Sequence, residues 1–202
     1  MMKIKNIVIF SLLLFVSVAC GDDSDLIAEQ REDIITFLES SHSPVLIAQS
    51  AVADSIEDDP EFYTVISYGV FRYIEDYYNS SRASKREVES GDTLTLTFWC
   101  YDFSGYTTPT SSNLFYTNDP TYEYTFESAG MNTEYWSFEP LEIVLGKGDI
   151  LKAIETSLVG CKEGDNVEIY LTYDSAYGST WIGVSNLEEP IAFFCTIESI
   201  EN

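Results

Sequence analysis

The chain has 202 residues, with 10 Lys+Arg against 34 Asp+Glu and a formal charge of −24. A surface so acidic cannot release counterions from a phosphate backbone, which excludes nucleic acid, and it repels anionic lipid. A hydrophobic content of 45%, with 14 Tyr and 12 Phe, demands a folded core, while 11 Gly, 6 Pro and 4 Cys exclude collagen-like and disulfide-dense chains.

Lys3 and Lys5 precede an apolar run over residues 7–18 that ends at Ala19-Cys20. A basic start, a short apolar stretch and a small residue before the cut describe a secretory signal, too short for the roughly 20 apolar residues of a membrane-spanning helix. Cys at the cut resembles a bacterial lipoprotein signal, in which the lipidated Cys20 becomes the new N-terminus. The acidic tract behind it, Gly21 to Asp25, resembles the surface-export signal of Bacteroidetes lipoproteins, and a solvated tether would look the same. The expected division is a signal over residues 1–19, a lipidated tether and helical arm over 20–61, and a domain over 62–202. Loss of residues 1–19 removes two Lys and no acid, leaving 8 basic and 34 acidic residues, a formal −26. The lipid on Cys20 would then be the sole membrane anchor. It would hold the protein outside the cytoplasm, at the bacterial outer membrane, on the periplasmic face or the cell surface.

Residues 25–40 predict a helix. Leu26, Ile27, Ile34, Ile35 and Leu38 recur near a 3.6 period, with Glu29, Gln30, Arg31 and Glu32 between them, and Asp25 is the expected N-cap. Residues 45–60 are ambiguous: apolar and helix-compatible as far as Ala53. The arm either packs on its own domain or offers a face to a partner or second copy. Residues 62–78 are aromatic and β-branched, interrupted by Gly69, and 79–86 form a polar turn. From Thr93 to Trp99 the residues alternate, with Leu94, Leu96 and Phe98 on one side and threonines on the other, as in a half-buried strand. Residues 103–125 are Tyr-, Thr- and Ser-rich and predict a long loop or a decorated hairpin. A strand over 141–145 closes at Gly146. A short helix over 149–159 follows, with Asp149 as its cap, and then strands over 166–173 and 191–200. Strands, one short helix and more strands read as α+β with an antiparallel sheet.

Cys100, Cys161 and Cys195 show no CxxC spacing, and His42 is the only histidine, so zinc ligation lacks ligands and no metal or cofactor is expected. The three cysteines read as small buried hydrophobes, with a single disulfide left open.

The segment 140–178 carries a strand ending in Leu145-Gly146, a short helix, the turn Gly160-Cys161-Lys162-Glu163-Gly164 and the triplet Ala176-Tyr177-Gly178. In this order it resembles the central part of FKBP-type peptidyl-prolyl isomerases. Tyr68 to Phe71, Gly91 to Leu96, Phe126-Glu127-Ser128 and Pro190 to Phe193 are similar to further family segments, so the resemblance spans roughly residues 62–202. It implies an antiparallel β-sheet curled around one short α-helix, here preceded by an N-terminal helical arm, with a shallow apolar pocket between sheet and helix. It implies a proline-containing peptide or an unfolded exported protein as partner. The implied catalytic residues are Tyr177, which would donate its hydroxyl to a substrate carbonyl, with Phe126 and Glu127. The implied substrate-binding residues are Phe98, Leu141, Ile150, Leu151, Ile154, Trp181 and Phe193. Phe98 stands for a family Tyr, Leu141 for an aromatic, Glu127 for Asp, and Ile154 for the Trp of the pocket floor. Two functions follow: a weak isomerase, or a catalytically degenerate, chaperone-like binding module.

Overall fold

The computed structural model describes residues 23–41, 45–48, 61–131, 136–178 and 188–202. Its helices are α1 (Asp23–Ser41), α2 (Glu123–Ser128) and α3 (Lys152–Leu158). Its strands are β1 (Val45–Ala48), β2 (Phe62–Ser67), β3 (Val70–Ile74), β4 (Thr93–Asp102), β5 (Leu114–Thr117), β6 (Leu141–Val144), β7 (Asn166–Leu171) and β8 (Ile191–Glu201). They form one sheet in the order β1-β2-β3-β7-β8-β4-β5, and β6 shares the outer edge of β4 with β5. Seven strands are antiparallel to their neighbours, and β1 adds in parallel to β2. The expected α+β class, with a sheet around one short helix and an N-terminal helix before it, is the observed one.

The period-2 pattern gives this sheet two apolar faces. Leu94, Leu96, Phe98 and Cys100 on β4, Val167, Ile169 and Leu171 on β7, and Ile191, Phe193 and Cys195 on β8 face α3, where Ile154 and Leu158 close the main core. The alternate residues Phe71, Tyr73, Tyr170 and Ala192, with Tyr63, face α1, whose Ile34, Phe37 and Leu38 close a second core with Phe103. The arm therefore packs on its own domain. Alternation along β2 puts Val65 on the α1 side and Ile66 on the other, and a bulge between Val65 and Ser67 follows.

Local chemistry sets the helix ends differently from the sequence expectations. α1 begins at Asp23, so Asp25 lies in its first turn instead of capping it. Residues 45–48 are strand, because β2 offers them a free edge to pair with. The expected helix over 149–159 shortens to α3, with Leu151 at its N-cap. Asp149 does not cap it, since its Oδ2 accepts from the Val144 amide at 2.9 Å. Instead Glu155 reaches back, and its Oε1 accepts from the amides of Gly146 and Gly148, both at 3.1 Å. Those glycines sit at φ of 90° and 82°, a region that a side chain would strain. At the other end, buried Arg72 donates from Nη1 to the carbonyls of Ser157 (2.8 Å) and Val159 (2.9 Å), satisfying groups that a helix C-terminus leaves open. α3 is thus fixed at both ends by residues of the sheet and its turns.

Candidate active site

The core under α3 contains an aromatic cluster. Phe98 and Phe193 stack across the β4–β8 pair, with ring centroids 5.4 Å apart and planes at 15°. Tyr116 on β5 meets Phe98 edge-on at 4.8 Å, and Trp136 meets Tyr116 at 4.7 Å. Tyr177 follows β7 in a turn held by Ala176 and Gly178 amides donating to Thr172 and Tyr173 carbonyls, and its ring contacts Phe115 at 6.5 Å. Leu141, Ile150, Leu151 and Ile154 pack on the same cluster from β6 and the start of α3. Of the sequence-expected residues, the structure therefore brings together Tyr177, Phe98, Leu141, Ile150, Leu151, Ile154 and Phe193.

Ile154 is buried to 1% exposure, which seals the place where the resemblance puts a floor ring. Ile150 and Leu151 precede α3, half-buried, and remain available to line an opening.

Phe126 and Glu127 stand apart from the cluster. They lie in a helix, α2. Phe126 contacts Trp136 at 5.9 Å and Phe138 at 6.4 Å, so it touches the cluster only through its outer ring, and Glu127 is exposed. The reason is register. β4 pairs Cys100 with Tyr116 and Trp99 with Thr117, which makes β5 the direct neighbour of Phe98 and leaves α2 beyond it. Trp181 and Cys20 lie outside the described residues.

Sequence reasoning missed Phe115, Tyr116, Trp136 and Cys100. The segment 103–125 contains β5, which pairs antiparallel with β4 as in a decorated hairpin, and the aromatic, β-favouring run Leu114–Thr117 is the signal for it. That strand is locked by side chains. Thr117 Oγ1 donates to the Phe98 carbonyl, and Asn118 Oδ1 accepts from the Phe98 amide at 2.8 Å while its Nδ2 donates to Leu96 and Glu139 carbonyls.

The electrostatics of the cluster are those of a dry site. Burial, then the neighbouring Cys100 and Tyr116, pushes the Tyr177 hydroxyl well above its ordinary value. Burial likewise raises Tyr116 and Cys100. Cys100, Cys161 and Cys195 are all free and buried. Every titratable group of the cluster is thus neutral at pH 7. The arrangement offers aromatic surface and phenol donors, without a charged nucleophile or base.

The family model of FKBP-type peptidyl-prolyl cis-trans isomerases matches residues 84–193. The fold is similar to that of FkpA from Escherichia coli, with a TM-score of 0.52 at 13% identity, covering 89% of this chain and 61% of that one. It is also similar to the three FKBP domains of wheat FKBP73, with a TM-score of 0.50 at 12% identity, covering 69% of this chain and 50% of that one. The chain thus spans less than two thirds of either structure. The comparison with curated proteins finds no match. Because the matched residues 84–193 make up more than half of the 202 and include the strands and helix that build the aromatic cluster, the chain belongs to the FKBP-type peptidyl-prolyl cis-trans isomerase family.

Proposed function

We propose that the protein is an extracytoplasmic, lipid-anchored peptidyl-prolyl cis-trans isomerase of modest activity, acting on X–Pro bonds of exported proteins. The observation that carries the reading is the neutral cluster of Phe98, Tyr116, Tyr177 and Phe193 against the start of α3. An X–Pro bond isomerises over a barrier of roughly 18–20 kcal/mol because planarity preserves amide resonance. Water stabilises the charge-separated planar form, so transfer to an apolar, aromatic surface weakens the preference for planarity. A phenol placed for the twisted amide favours the transition state further. Uncatalysed isomerisation takes tens of seconds, which makes such help useful to proteins folding after export.

The decisive assay is a protease-coupled proline-peptide measurement with the full mature chain and Tyr177→Phe. Loss of one neutral hydrogen bond, worth about 1 kcal/mol, lowers kcat/KM about fivefold. Because the phenol is held above its ordinary value it stays protonated and able to donate, so the wild-type rate is flat from pH 6 to about pH 10. No acceleration at micromolar enzyme sinks the reading. The second reading, a binding module without rate enhancement, is favoured by the burial of the Tyr177 hydroxyl beside Cys100. It predicts suppressed aggregation of an unfolded client with no change in proline-limited refolding.

Membrane attachment rests on the sequence of residues 1–25. In cells, Cys20→Ser leaves the protein in the soluble extracytoplasmic fraction, and the wild-type chain carries the extra mass of its acyl groups. An intact mass equal to the bare polypeptide ends the anchoring proposal.

A further inference from the structure

α1 lies outside the residues that match the family, yet one of its side chains reaches the segment that follows β7 and leads to Tyr177. Gln30 occupies the same helix face as Ile34, Phe37 and Leu38, at 3% exposure. Its Oε1 accepts from the Tyr173 amide at 2.9 Å, and its Nε2 donates to the Glu188 carbonyl at 2.7 Å. Only one orientation of the carboxamide satisfies both partners, a donor on one side and an acceptor on the other.

Tyr173 and Glu188 flank the connection between β7 and β8, just beyond the last paired residues, Leu171 and Ile191. There the strands diverge and their backbone groups lose each other. The Gln30 carboxamide takes the place of a peptide group between them. The Tyr173 carbonyl in turn accepts from the Gly178 amide at 2.8 Å, closing the turn that carries Tyr177. Glu188 holds a positive φ of 63°, a conformation that costs a non-glycine residue about 1–2 kcal/mol and persists only where its surroundings enforce it.

The next residue of α1 reinforces the contact. Arg31 Nε donates to the Tyr68 carbonyl at 3.1 Å, and its guanidinium stacks on Tyr68 and Phe71. The adjoining Gly69 carbonyl accepts from the Thr172 amide at 2.9 Å, so the β2–β3 turn props the same segment. A Cβ at Gly69 would come 1.9 Å from Thr172 Oγ1, a measure of how closely the two are pressed together.

We propose that Gln30 is a positioning residue for the Tyr177 turn: its carboxamide is an extra rung between the ends of β7 and β8, and it sets the orientation in which Tyr177 meets the aromatic cluster. The helix outside the family segment thereby becomes part of the isomerase site. The proposal rests on the isomerase reading for its catalytic consequence only.

The test compares Gln30→Met, which keeps length and burial but neither hydrogen bond, with wild type in the full mature chain. Two measurements are needed. Amide hydrogen exchange at Tyr173 and Gly178 should quicken at least about tenfold, while Ile169 in mid-strand stays unchanged. In the proline-peptide assay kcat should fall about tenfold with a small change in KM, at a melting temperature within a few degrees of wild type. Gln30→Glu, which keeps the acceptor for Tyr173, should restore protection there and not the donor to Glu188. Unchanged exchange at Tyr173 and Gly178 overturns the proposal, and so does quickened exchange with unchanged kcat. If the wild-type chain does not catalyse at all, the isomerase reading falls, and the exchange measurement still decides whether Gln30 sets the turn.

Discussion

Asp165→Ala lowers the stability of the protein by about 3–5 kcal/mol, the range for breaking one side of a buried ion pair. Arg82 Nε and Nη2 grip Asp165 Oδ1 and Oδ2 at 2.8 and 3.0 Å, with side chains only 10% and 4% exposed. The second carboxylate oxygen also accepts from the Lys162 amide at 2.7 Å, closing the turn that leads into β7. Removing the carboxylate strands a largely buried guanidinium over the Tyr77 ring, 4.2 Å from its carbon. The double variant Arg82→Met with Asp165→Leu recovers most of the loss, because the penalty is the stranded charge and not the missing attraction. Urea unfolding midpoints with constant slopes read both values. A shift under about 1 kcal/mol for Asp165→Ala would show that the pair is solvated and the argument wrong.

Phe193→Ala removes both stability and activity. The ring is 3% exposed and stacked on Phe98, so its loss opens a cavity costing about 3–5 kcal/mol. Phe193→Leu separates the two effects. It retains most of the volume and costs about 1–2 kcal/mol, while the flat surface next to Phe98 disappears and kcat/KM falls about tenfold. Equal activity in Phe193→Leu and wild type would mean that proline is bound elsewhere.

Much of this architecture was legible in the chain. The alternation from Thr93 to Trp99 specified β4 and its inward face, and the run before Gly146, the turn at Gly164 and the triplet at Tyr177 placed the rest of the site in order. The failures have a common physical cause: local signals were overruled by partners far along the chain. Asp149 is a good cap by type, but the Val144 amide claims its carboxylate. Residues 45–48 are a short apolar run that periodicity leaves ambiguous, and the edge of β2 beside them decides for strand. The likeness at Phe126-Glu127 does not reveal that the β4–β5 register makes Tyr116 the direct neighbour of Phe98, with Phe126 meeting the cluster through Trp136. The apolar period of α1 sets Gln30 between the apolar residues and gives no sign of its role, since a buried glutamine is recognisable only once the two backbone groups it serves are in view.

The order of strands has a consequence for where this domain can be cut. A segment trimmed to the residues 84–193 that match the family would lack β1, β2, β3 and α1 and most of β8's far end. β7, now enclosed between β3 and β8, would become a bare rim with unpaired amides and carbonyls, a template for joining other chains. Tyr170 and Phe103, sealed beneath α1, would face water beside it. The N-terminal residues therefore cover the edge and one face of the sheet, and the smallest self-sufficient unit of this protein is larger than the signature by which its family is recognised.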